Sequence, residues 1–163
     1  HSDPAIRDAA IQNLDWAATQ QSRGFFANCA FEPGLPPFTH TIAYAIRGFV
    51  ESGRLLANAK YNSIAEASAN RLLDYVAEDG FIPSRISEDG EAKSKSCCLT
   101  GNCQLAIIWY QISERLRNQG DADSRCNNML AAANRVLDYV MSVQDIQTLD
   151  LNVHGAIKGS HPI

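Results

Sequence analysis

The decapeptide Ala67-Ser-Ala-Asn-Arg-Leu-Leu-Asp-Tyr-Val76 returns as Ala131-Ala-Ala-Asn-Arg-Val-Leu-Asp-Tyr-Val140, identical at 8 of 10 positions and offset by 64 residues. A fainter third copy, Ala10-Ile-Gln-Asn-Leu-Asp-Trp-Ala17, keeps the Leu-Asp-aromatic step. A glycine and then an apolar pair follow each copy: Gly24-Phe-Phe26, Gly80-Phe-Ile82 and Gly155-Ala-Ile157. Self-similarity on this scale signals one supersecondary unit used several times.

The periodicity around the copies is helical. Ala65, Ala69, Leu72, Leu73 and Val76 fall on one face, as do Met129, Ala133, Val136, Leu137 and Val140. Between the copies, Ile42, Ile46, Phe49 and Val50 repeat the spacing. The stretch Leu105-Ala-Ile-Ile-Trp-Tyr110, continuing to Ile112 and Leu116, is apolar almost all the way round, which predicts a helix buried on every side. Prolines are confined to positions 4, 33, 36, 37, 83 and 162, clear of every helix interior. The spacing predicts helices near 4–20, 40–56, 60–78, 100–118 and 123–143, with an outer, repeat-bearing type alternating with an inner, more buried one. The expected fold is all-α, a single domain of repeated helical hairpins over 1–163.

Composition fits such a domain. The 163 residues are 45% hydrophobic and 20% charged, with a net charge of −4. That mild acidity gives no reason to expect nucleic acid or an anionic membrane as partner. The chain has no run of 18 apolar residues and so no expected membrane span. The five cysteines, Cys29, Cys97, Cys98, Cys103 and Cys126, are odd in number and lack a C-x-x-C, which reads as reduced thiols in a cytoplasmic chain. The vicinal pair Cys97-Cys98 is either two small residues at a helix start or a place for metal or redox chemistry.

Loop lengths locate the candidate site. Links near 57–60 and 119–122 are short, whereas those near 21–39 and 79–99 run to roughly twenty residues, and the last, from about 144, is also long. Hairpins alternate in direction, so all the long links emerge at one end, beside the N-termini of the inner helices. Free N–H groups and the positive dipole end suit an anionic or polyhydroxylated ligand there. The candidate ligand-binding residues on that face are Cys29, His40, Tyr44, Asp79, Cys98, Asn102, Gln104 and His154. His40 reads as a ligand-binding or proton-transfer group, or as a helix-start residue bonded to backbone. Asn102 and Gln104 either donate to a bound hydroxyl or satisfy their own helix end. Tyr44 either stacks on a ligand or packs in the core. Asp79 is a candidate carboxylate that an Asp-Gly turn also explains. The acidic run Ser87-Glu-Asp-Gly-Glu-Ala-Lys93 reads as a solvated loop tip. The chain has no P-loop, no dinucleotide fingerprint, no H-E-x-x-H and no G-x-S-x-G. Cys98 and His40 can be drawn as a nucleophile pair, although nothing local in the sequence specifies it.

Repeated helical hairpins in two layers resemble the α/α-toroid superfamily, which includes six-hairpin glycosidases, terpenoid cyclases, protein prenyltransferase β-subunits and lanthionine cyclases. Thr39-His-Thr-Ile-Ala-Tyr44, Leu99-Thr-Gly-Asn-Cys-Gln-Leu-Ala106 and Gly155-Ala-Ile-Lys-Gly-Ser-His-Pro162 are similar to bacterial toroid proteins of unassigned activity, found beside polysaccharide-biosynthesis genes and often labelled prenyltransferase- or squalene-cyclase-like. Gln20-x-x-x-Gly24-x-Phe26 is similar to the Q-x-x-x-G-x-W repeat of terpenoid cyclases, with Phe for Trp. The acidic D-x-D-D motif of protonating cyclases is absent, and the zinc-ligand strings of prenyltransferases and lanthionine cyclases do not appear; His154-Gly155 is only a faint echo of the cyclases' Cys-His-Gly.

The resemblance implies a domain that binds or processes a carbohydrate or polysaccharide precursor at the inner-helix N-termini, with no cofactor and no metal assigned. Two alternatives stand beside it: a zinc-dependent transferase or cyclase using Cys29, Cys98 and His40, and a non-catalytic scaffold. A complete ring of this superfamily has more helices than the five read here, so the expectation is a partial toroid whose open edge favours a homodimer.

Overall fold

Asp3, Asn58 and Asp123 each open a helix by the same chemistry, a side-chain oxygen accepting the first free backbone N–H groups. Asp3 Oδ1 takes the Ala5 N–H at 2.9 Å. Asn58 Oδ1 takes those of Lys60 and Tyr61, and Asp123 Oδ1 those of Arg125 and Cys126. The helices so begun are α1 (Pro4–Thr19), α3 (Ala59–Leu72) and α5 (Ser124–Ser142). The computed structural model describes residues 3–121 and 123–162; His1, Ser2, Ala122 and Ile163 lie outside the described residues.

The other two helices, α2 (Thr39–Leu55) and α4 (Leu99–Asn118), have no Asp or Asn at their start. Backbone from the long links serves instead. The Thr39 N–H donates to Ser84 O at 2.9 Å, and the Leu99 N–H to Gly159 O at 3.0 Å. The inner helices and their links therefore depend on one another.

Direction follows from the contacts. Gly101 lies against His40, Arg47 bonds Gln104 and Glu51 bonds Gln111, so α2 and α4 run parallel, side by side. The Trp109 indole reaches Ala69 O, and Arg115 reaches Glu66, so α3 runs opposite to α4. Tyr110 to Asn134 and Ser113 to Cys126 give the same sense for α5. Two antiparallel hairpins, α2–α3 and α4–α5, enclose the core of Ile42, Ile46, Phe49, Leu72, Leu105, Ile108, Trp109 and Ile112. Among the described residues, no helix is long and apolar enough to cross a membrane.

Helix bounds agree with the expected ones except at the first repeat. There α3 stops at Leu72, tightens into a single 3-10 turn over Leu73–Tyr75, and leaves extended at Val76. The nearly identical second copy stays helical to Ser142. Tertiary context accounts for the difference: the Tyr75 hydroxyl donates to Gly90 O in the following link at 2.5 Å, which draws the chain out of the helix. The expectation of a fully buried α4 is corrected too, since Ile107 and Tyr110 are exposed along one stripe. α1 buries no residue completely; Leu14, Ala17 and Ala18 of its second half pack on the core, while Asp15 bonds Lys60 and the Tyr61 hydroxyl.

Two short antiparallel ladders organise the links. β1 (Gln21–Ser22) and β2 (Phe25–Phe26) form a hairpin about Arg23 and Gly24, both at positive φ, and this carries Phe26 onto Phe49 in a stacked pair. β3 (Cys97–Cys98) pairs with β4 (Ser160–His161), so the last link closes over the start of α4. Two of the three post-repeat glycines are packing points. A Cβ on Gly24 would meet Arg71 Cβ at 2.8 Å, in the next copy. One on Gly80 would overlap the Arg135 carbonyl, its carbon 2.7 Å away, again in the next copy. On Gly155 it would meet nothing nearer than Gln144 Nε2, at 3.7 Å.

Candidate functional site

The three long links do gather at the N-terminal ends of α2 and α4. The first is tied down by Thr41, whose hydroxyl bonds Cys29 O, and the second by the Thr39 hydroxyl on Pro83 O at 2.5 Å. The third arrives through β4.

At the centre of this face stands His40, in the first turn of α2. Its ring lies 5.4 Å from Phe31, 5.6 Å from Phe38 and 5.9 Å from Tyr44, centroid to centroid. The Arg85 guanidinium sits 3.9 Å over the Phe38 ring and donates to Pro36 O, which fixes the back of the cluster. Phe31 and Tyr44 remain open to solvent at 66% and 54% exposure. His40 Nδ1 is 3.5 Å from Cys98 Sγ. That sulfur caps α4 by accepting the Gly101 N–H at 3.4 Å. Gly101 permits the approach, because a Cβ there would stand 2.9 Å from the His40 backbone nitrogen.

A cleft of about 730 Å³ adjoins the ring cluster and shares Phe31 with it. Glu32, Leu35, Glu88 and Asp89 line its walls. Glu88 Oε1 accepts the Asn28 N–H at 3.0 Å. The Ser87 hydroxyl and the Glu91 backbone N–H hold the Asp89 carboxyl below the usual range, so the acid stays ionised. Burial, helped by the charge of Glu88, pushes the Cys29 thiol up to about 11.

The eight candidate residues divide. His40, Tyr44 and Cys98 meet directly. Cys29 joins through its carbonyl. Gln104 lies one turn into α4, its Oε1 accepting from Arg47 at 2.9 Å. Asp79 is exposed and accepts the Phe81 N–H within its own turn, while His154 is exposed and bonds Thr148 O within the last link. Neither is brought to the cluster by these bonds. Among the described residues no three His, Cys, Asp or Glu side chains converge as a metal site would require, so Cys29 does not complete a set with Cys98 and His40.

Asn102 is the unusual one. It is completely buried, one turn beyond Cys98, and neither Oδ1 nor Nδ2 has a hydrogen-bond partner among the described residues. An unsatisfied buried amide costs about 1–3 kcal/mol. Asn102→Leu, close in shape and without polar atoms, is therefore expected to raise stability by about that amount. Thermal and urea unfolding measure it; a destabilised variant would mean that the amide is satisfied in solution.

Sequence reasoning missed Phe31, Phe38 and Arg85; its solvated tip is exposed at Glu88 and Asp89, and both also line the cleft. The signal for the first two was present, since Phe31-Glu-Pro-Gly-Leu-Pro-Pro-Phe38 places two aromatics in a proline-stiffened link. No protein-family model, curated protein or solved structure matches the chain.

Proposed function

We propose that the face at the N-termini of α2 and α4 binds a carbohydrate chain, such as a polysaccharide precursor, across the rings of Phe31 and Tyr44. One observation carries the reading: the solvent-open Phe31 ring lines a cleft together with Glu32, Glu88 and Asp89, and a second open ring, Tyr44, stands on the other side of His40. A pyranose offers C–H faces to such rings and hydroxyls to such carboxylates, and a pocket that pairs apolar walls with few convergent polar groups is a usual form for a small-ligand site. The negative wall favours neutral or amino sugars over uronic acids. Parallel inner helices backed by antiparallel outer ones support the further reading of the chain as part of an α/α-toroid. The exposed Ile6 and Trp16 of α1 favour self-association at an open edge, and five free thiols favour a reducing compartment.

Calorimetric titration with maltotetraose, cellotetraose and chitotetraose tests the site. At least one is expected to bind, and Phe31→Ala and Tyr44→Ala are each expected to weaken it about tenfold, near the 1 kcal/mol scale of an aromatic contact. No binding by any of them, or binding indifferent to both substitutions, removes the carbohydrate reading and leaves the scaffold one. A zinc-dependent reading has only Cys98 and His40 to start from.

A further inference from the structure

Of the five free thiols, four sit where a thiolate is disfavoured or shielded. Cys97 and Cys126 are fully buried, and the Cys126 thiol donates to Ser113 O. Burial pushes the Cys29 thiol up to about 11 and raises that of Cys103 as well. Cys98 is buried as well, but its neighbours are different. It retains 7% exposure, its sulfur faces the positive N-terminal end of the 20-residue helix α4, and the Gly101 N–H points at it. It also meets an imidazole, His40 Nδ1 at 3.5 Å. Phe31, Phe38 and Tyr44 wall that imidazole in place.

Asn102 supplies a second, independent observation. Asn102 stands four positions after Cys98 in the first turns of α4, and residues four apart lie along one side of a helix. It is buried with no partner for its donor or its acceptor among the described residues, and a catalytic role is one of the reasons a buried polar group is left unpaired.

We propose that Cys98 is a nucleophile, His40 its base and Asn102 a donor toward the developing oxyanion, and that the chain forms an S-acyl intermediate from an ester or thioester. His40 Nδ1 accepts the Cys98 thiol proton as Sγ bonds to the acyl carbon. The C–O or C–S bond to the leaving group breaks, and the departing alkoxide or thiolate takes the proton from His40. Water or an alcohol then gives a proton to His40, attacks the thioester carbon and releases Cys98 as the thiol. No electrons are gained or lost. The arrangement follows the general logic of a thiol held by an adjacent base. The inference goes beyond carbohydrate binding and does not depend on it, because water suffices as acceptor.

Para-nitrophenyl acetate is the probe. Stopped-flow release of nitrophenolate is expected to show a burst of one equivalent per chain, and tandem mass spectrometry to place one acetyl group on Cys98 rather than on Cys97. Cys98→Ser is expected to abolish the burst. His40→Gln is expected to slow acylation roughly 100-fold or more, the usual contribution of a positioned base. Imidazole added to His40→Ala is expected to restore part of the rate, which a merely structural role for His40 would not allow. Acetylation of the native chain that spares Cys98, or that is no faster there than in the urea-unfolded chain, overturns the proposal even if no variant folds. An unchanged rate in folded His40→Gln overturns it too. These outcomes read the thioester alone, so a failure of sugar binding leaves them intact.

Discussion

Trp109→Ala is expected to cost about 3–5 kcal/mol of folding free energy, the range for removing a large aromatic side chain from a core. Trp109 is fully buried in α4 and joins the two hairpins, its Nε1–H donating to Ala69 O in α3 at 2.9 Å. Alanine removes both the volume and the donor. Against a total stability on the order of 5–15 kcal/mol, that loss consumes a fifth or more of what holds the domain together. Urea unfolding followed by circular dichroism measures it. Trp109→Phe keeps most of the volume and loses only the donor, so it is expected to fall between alanine and the native chain. A loss below about 1 kcal/mol for alanine would mean that α3 and α4 are joined elsewhere.

Gly80→Ala is expected to cost roughly 3 kcal/mol or more, from two causes that separate experimentally. Gly80 has φ +90°, a conformation that costs a side-chain-bearing residue about 1–3 kcal/mol. Its Cα also abuts the Arg135 backbone, which cannot move without shifting α5. Gly34 supplies the control, having φ +79° and nothing within 4 Å of an added Cβ. Gly34→Ala measures the backbone conformation alone, so the excess in Gly80→Ala measures the contact between copies. Equal losses in the two variants would show that the link after the first copy does not lean on α5.

Helices were legible because their signals are local. The period of 3.6 in the two repeats and the prolines kept out of helix interiors place them. The 3-10 ending of α3 was not legible, since two nearly identical decapeptides end differently and the Tyr75–Gly90 bond that marks the first is a tertiary contact. Two-residue strands such as β3 carry no periodicity to read. For the site, loop lengths correctly indicated the end at which the links collect. The meeting of His40 with Cys98 lies 58 positions apart in the chain and needed the parallel placement of α2 and α4. Asn102 was singled out by position, but its lack of any partner is a property of everything packed around it. Asp79 and His154 show the converse, with turn chemistry inside their own links sufficient to explain them.

The glycine contacts give the copies an order. Gly24 is sealed by the Ala67–Arg71 surface of the copy that follows, and Gly80 by Arg135 and Tyr139 of the copy after that. The units thus overlap like roof tiles, each lower edge covered by its successor. A middle tile cannot lift while the one above it is seated, so release of the first link requires α3 to yield, and release of the second requires α5 to yield first. Local opening of the first link is thereby tied to α3, and that of the second to α5.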